Sequence, residues 1–145
     1  MSDTTLGPGR AMRISTVVYL WIEAVGICAM WVYLLARPES REPFIAPGAP
    51  DSTFLAFALP DLALYGGSAA ICAIAIRRRL HWAFAALCFR GGACLYATFY
   101  FFNLYLLEPS TWMAAVVIAP VLLITIWLLI AFRPRATGSS TPAQA

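Results

Sequence analysis

The chain has 145 residues, 61% of them hydrophobic and only 12% charged, with a formal net charge of +3. Soluble domains carry about a quarter charged residues, and a mean hydropathy of +0.76 leaves too little polar surface to coat one. A soluble enzyme and a nucleic-acid-binding domain are therefore excluded, and the expected fold is all-α: one integral membrane bundle of four transmembrane helices.

Residues 1–13 read as a cytoplasmic tail, rich in Gly, Ser and Thr and without an apolar period until its end, where Arg10 and Arg13 precede the first span. The first apolar stretch, 14–36, is long enough to cross about 30 Å of hydrocarbon at 1.5 Å per residue. It is too long for a signal peptide, contains Glu23 and lacks a small-x-small cleavage site, so a retained span is expected. Its most polar stripe is Ser15, Tyr19, Glu23, Gly26, Met30 and Tyr33. The loop 37–52 has prolines at 38, 43, 47 and 50, which oppose a regular helix and favour extended backbone. Asp51, Ser52 and Thr53 are N-cap candidates for the second span.

The second span, 53–76, lines up Asp61, Tyr65, Ser68 and Cys72. Pro60 removes one backbone donor there, so this helix is expected either to kink or to begin near it. Arg77, Arg78 and Arg79 fill the next turn, a topology signal that also attracts anionic lipid headgroups. In the third span, 81–107, Arg90 stands in LCFRGGACL on a small-residue stripe with Ala83, Ala86, Ala93 and Ala97, and Asn103 lies beyond it. The fourth span, 112–132, is preceded by Ser110 and Thr111 as caps. It holds no charge, only Pro120 and Thr125 as kink points, and reads as a lipid-facing or partner-facing helix. Residues 133–145 form a second, Ser/Thr/Pro-rich tail expected to be disordered. With arginines at both tails and in the 77–79 turn, both termini are expected in the cytoplasm and the 37–52 loop outside, in a bacterial inner (plasma) membrane.

An arginine cannot shed its proton to escape burial, and at the centre of a helix it costs roughly 2.5 to 3.5 kcal/mol on insertion scales. Arg90 therefore needs a partner. Glu23 is ten residues beyond Arg13 and Arg90 eleven beyond Arg79, which places both about 15 to 17 Å into the membrane. Asp61, sixteen residues from Arg77, lies about 24 Å in, offset by about 8 Å. Depth thus favours Glu23, with Asp61 within reach of a leaning guanidinium. Two acids against one arginine leave one carboxyl without a cation.

The expected binding centre is Glu23, Asp61 and Arg90, flanked by Tyr19, Tyr65, Ser68 and Asn103. It suits a binding or transport-like module for a small molecule or a proton. The alternatives are an ion pair that only fixes helix register, an accessory or assembly subunit of a larger membrane complex, and, third, an intramembrane enzyme. Homo-oligomers and other membrane subunits are the expected protein partners. No cofactor, metal site or catalytic residue is expected. His81 is the single histidine, the four cysteines form no C-x-x-C pair, and the Gly66-Gly67 and Gly91-Gly92 pairs sit inside helices rather than in a phosphate loop.

Overall fold

The computed structural model describes residues 9–45 and 47–134. Four helices in it are long and apolar enough to cross a membrane: α1 (Arg10–Ala36), α2 (Asp51–Arg77), α3 (Ala83–Leu107) and α4, which lies within Pro109–Ala131 and is α-helical over Trp112–Ala131. No strand occurs among the described residues. Because α1 starts at Arg10, both Arg10 and Arg13 belong to the helix rather than to the expected tail. The remainder of the two tails, 1–8 and 135–145, lies outside the described residues.

Two helix ends share one local cause. A proline disfavours helical backbone in the residue before it. Arg37, ahead of Pro38, takes φ −128° and ψ 82°, and Glu108, ahead of Pro109, takes φ −140° and ψ 89°. Each still donates its N–H to the helix it closes, Arg37 to Tyr33 O at 2.9 Å and Glu108 to Leu104 O at 2.8 Å. At the opposite end of the bundle, α2 stops in a Schellman arrangement: Leu80 N–H bonds Ala75 O at 2.9 Å and Arg79 N–H bonds Ile76 O at 3.2 Å. Arg79 holds the left-handed position usually given to glycine, at φ 54°.

The loop departs from the expected extended form. Pro38–Phe44 makes a 3₁₀ helix, because proline at the first helical position costs no donor and its fixed φ suits a helical turn. Asp51 and its neighbours do not cap α2. Pro50 occupies that position without a side-chain bond, and the Asp51 carboxylate is turned to Arg41 at 2.6 Å. Thr111 does stand at the N-cap of α4, but its hydroxyl bonds back to Glu108 O at 2.8 Å rather than into the helix.

α2 does not restart at Pro60. It is helical over Asp51–Leu55, loosens through a turn, continues over Ala58–Pro60, widens into a π-helix over Asp61–Gly67 and ends α-helical over Ser68–Arg77. The missing N–H of Pro60 leaves Ala56 O without its regular partner, and a widened turn is how a helix absorbs such a fault without breaking.

Each span packs mainly on its neighbour in sequence, α1 on α2, α2 on α3 and α3 on α4, and α4 also meets the 3₁₀ turn. The core lies toward the arginine turn, where Leu20, Ala24, Ala69, Cys72, Ala73, Ile76, Leu87 and Leu128 are buried together, with Val17, Leu129 and Phe132 against them. Its Ala and Cys side chains let the helix backbones approach closely. The expected stripes hold in part. α1 buries Thr16, Leu20, Ala24, Trp31 and Leu34; of its expected stripe Tyr19 packs against the core and Glu23, Gly26 and Met30 line an interior cavity, whereas Ser15 and Tyr33 are exposed. α3 buries Leu87, Arg90, Gly91 and Cys94 most deeply, and its alanine row is half-buried beside them, Ala83 and Ala86 packing against the core. All four cysteines are free, Cys72 and Cys94 buried, Cys28 and Cys88 exposed.

Gly91 sets the α3–α4 spacing, since a Cβ built there meets Leu129 Cδ1 at 2.8 Å. That atom is the tip of a flexible side chain, so Gly91→Ala is expected to unfold in detergent close to wild type. Gly91→Leu is expected to lose about 1 to 3 kcal/mol by overpacking, and Leu129→Ala to restore most of that loss in the double variant.

Candidate functional site

Arg90 is the largest polar side chain in the interior and is 0% exposed. Its Nη2 donates to Glu23 Oε1 in a direct ion pair, with the Glu23 side chain 8% exposed. Its Nη1 donates to Tyr65 O at 3.3 Å and to Ser68 Oγ at 3.4 Å. Tyr65 lies in the π-helical stretch of α2, and its carbonyl, which also accepts from the Ser68 backbone N–H and from Ser68 Oγ at 3.3 Å, uses its remaining lone-pair capacity for the guanidinium. Ser68 in turn donates to Leu64 O. Arg90 therefore ties α1, α2 and α3 at a single point.

Breaking such a pair by removing one partner typically costs 3–5 kcal/mol, because the other charge is left buried and alone. Three interior atoms in this cluster have no hydrogen-bond partner among the described residues: Tyr19 Oη, Glu23 Oε2 and Arg90 Nε. Tyr19 stands four residues before Glu23, one turn away on the same helix.

Asp61 is not part of the ion pair. Its Oδ2 accepts from Trp31 Nε1 at 3.3 Å, and it sits about one turn further from the arginine turn than Tyr65. Tyr65 donates its hydroxyl to Cys94 O at 3.4 Å and so bridges α2 to α3. The expected centre is thus split into two places: Glu23, Arg90, Tyr65 and Ser68 form one cluster with Tyr19 at its edge, and Asp61 forms a second with Trp31. Asn103 is brought to neither. It is exposed on the outer face of α3, because the burial of Arg90 and Cys94 points its own side of the helix away.

Between the two clusters and the 37–50 loop lies a cavity of about 380 Å³, within the usual range for small-molecule sites. α1 supplies Glu23, Gly26, Ile27, Met30, Trp31 and Leu34, and α2 supplies Thr53, Phe54, Phe57, Asp61 and Tyr65. Tyr100, Phe101 and Leu104 come from α3, and Ala114, Val117, Ile118 and Val121 from α4. Phe44, Ile45 and Ala49 line it on the loop side. The walls are apolar, and seven of the 21 lining residues are aromatic: Trp31 and Phe54 stack tilted with centroids 5.1 Å apart, as do Phe57 and Tyr100. Only two charged residues line it among those described, Glu23 and Asp61, and both are acidic.

Two contributors were not apparent from sequence. Trp31 reads as an interfacial tryptophan, but at 2% exposure it is a wall of the cavity and the donor to Asp61. Arg41 reads as a loop charge. In fact it is 6% exposed, with Nε on Leu34 O at 2.7 Å, Nη2 on Leu35 O at 3.3 Å and Nη1 on Asp51. It satisfies carbonyls left open where α1 ends and clamps that end to the start of α2. The signal for it was the exposed run of helix-terminal carbonyls just ahead of an arginine. Among the described residues no three His, Cys, Asp or Glu side chains converge on a metal-binding geometry.

No protein family, characterised protein or solved structure matches the chain.

The split between the two acids is testable by unfolding in detergent. Glu23→Gln is expected to lose about 3 to 5 kcal/mol, and Arg90→Leu combined with it to recover much of that loss. Asp61→Asn is expected to change stability by less than about 1 kcal/mol, the range of a single net hydrogen bond, and to show no coupling to Arg90→Leu.

Proposed function

We propose that the protein is a small integral membrane module that binds an apolar small molecule in the cavity between its four helices, with the ligand's polar end directed to Asp61 and Glu23. The observation that carries this reading is the placement of the cavity. One half of the bundle is packed solid around Leu20, Cys72, Leu87 and Leu128, whereas the other half is held apart around apolar and aromatic walls that end in carboxyl groups. A protein that only needed helix register would have no use for the second half being open, since each missing contact forfeits packing energy. A proton as cargo fits less well, because the wall between the loop and Asp61 is almost wholly apolar.

The arginine distribution supports an orientation with both termini and the 77–79 turn in the cytoplasm and the cavity toward the outside. The same arginines at positions 77 to 79 are suited to anionic lipid headgroups. A bacterial inner membrane accommodates this arrangement.

Two measurements test these proposals. In a background without native cysteines, Glu39→Cys is expected to react with a membrane-impermeant maleimide in intact cells and His81→Cys only after permeabilisation; the reverse pattern overturns the orientation. Trp21, Trp82, Trp112 and Trp127 are each at least 38% exposed, so their replacement by phenylalanine leaves Trp31 as the sole fluorophore. Bromodecane in zwitterionic nanodiscs is then expected to quench Trp31 saturably, and Ala114→Phe, which fills the cavity, to abolish saturation. Quenching that rises linearly with lipid-phase bromide in both proteins sinks the small-molecule reading.

A further inference from the structure

We propose that the cavity selects an apolar organic ammonium ion, with Asp61 as its counter-charge and the rings of Trp31, Phe54, Phe57 and Tyr100 as its surround. The inference rests on the cavity being a small-molecule site and names the chemistry of its occupant.

Charge accounting within the cluster carries the argument. Glu23 and Arg90 neutralise each other, and the arginine is closed to any ligand. Its Nη2 is committed to Glu23 and its Nη1 to Tyr65 O and Ser68 Oγ, and it is 0% exposed and absent from the cavity wall. Asp61 is left over. Its one side-chain hydrogen bond is from Trp31 at 3.3 Å, longer than the usual 2.7 to 2.9 Å of a charge-assisted bond. The other basic residue near the cavity, Arg41, is spent on Asp51 and on the carbonyls that end α1.

An anionic amphiphile entering from the loop side would therefore meet two carboxyl groups and, among the described residues, no available cation. A cation meets the opposite. Glu23, on a side chain more than nine-tenths buried, adds negative charge to the cavity wall behind Asp61, and its Oε2 has no hydrogen-bond partner among the described residues. The walls match as well. Aromatic faces attract an ammonium through the ring quadrupole, and most strongly where water is excluded. Here Phe57 lies one turn ahead of Asp61 on α2, stacked on Tyr100 at 5.1 Å, and Trp31 is bonded to Asp61 itself while stacked on Phe54. An apolar ligand with no charge would be served equally well by leucine and valine walls. The coincidence of aromatic rings with a singly bonded carboxylate is what points to an ammonium.

The test compares two ligands of one shape: phenylbutyl-trimethylammonium and its neutral isostere, in which a tert-butyl carbon replaces the nitrogen. Binding of each to the full chain is followed by Trp31 fluorescence in phosphatidylcholine nanodiscs. The cation is expected to bind at least tenfold more tightly than the isostere. Asp61→Asn is expected to erase that preference by weakening the cation alone, and Asp61→Glu, which keeps the charge, to retain most of it. Equal affinity of the two ligands in the wild-type protein overturns the ammonium inference and leaves the small-molecule cavity standing. A preference that survives Asp61→Asn overturns the role given to Asp61. Failure of both ligands in a protein whose Trp31 is still saturably quenched by bromodecane also overturns the inference. Failure of all three removes the small-molecule reading with it.

Discussion

In a hydrocarbon medium each polar group must find its partner inside the protein, and in this chain the most demanding such group is the Arg90 guanidinium. Everything near it is arranged around its needs. α1 must present Glu23 at the depth where α3 presents Arg90, and α2 must place the Tyr65 carbonyl and Ser68 beside the second nitrogen. Rotation or sliding of any one of the three helices would strand a charge. The pair is therefore less a source of net stability than a penalty on every other arrangement, since hydrophobic residues of similar volume can stabilise a core as well as a buried ion pair does. Small residues around it, Ala24, Ala69, Cys72, Ala73 and Gly91, then allow the backbones to close to the distance the pair dictates.

That rigid point lies at the boundary between two differently built halves. Toward the arginine turn the interior is filled by interlocking aliphatic side chains. Toward the 37–50 loop the helices are spaced by rings, which stack at their edges and leave volume between them. The change coincides with the π-turn of α2, where Pro60 withdraws a donor and the helix gains girth. The irregular stretch contributes to both halves, for it contains Tyr65, whose carbonyl meets Arg90, and Asp61, which lines the cavity.

The four spans were legible in the sequence because length and apolarity alone are enough to mark them, and their ends fell within a few residues of those observed. The pairing of Arg90 with Glu23 was legible from depth, since helix rise is constant and flanking arginines give a common origin. Helix rotation was legible only in part. Polarity placed Tyr19, Glu23, Gly26 and Met30 of α1 on the inner side but also Ser15 and Tyr33, which are exposed, because the faces are chosen by which residues fit against neighbours. Asn103 failed for the same reason: placing it required knowing which side of α3 the Arg90 contact would turn outward. Trp31 was hidden because its hydrogen bond reaches thirty residues along the chain. The 3₁₀ turn and the Arg41 clamp were hidden because four prolines in the loop argue against long helices and say little about short ones.

The two halves of the ion pair are 67 residues apart in sequence, and that separation bears on how the protein is made. At a synthesis rate of roughly 5 to 20 residues per second, α3 follows α1 out of the ribosome by about 3 to 13 seconds. Through that interval, on the proposed insertion, α1 holds Glu23 in the bilayer without its counter-ion, and α2 then adds Asp61, a second acid, before any balancing charge arrives. The nascent protein thus passes through its least compatible state midway through synthesis, when two spans and two acids are present and no guanidinium is. On that insertion the imbalance is relieved when α3 brings Arg90 to Glu23.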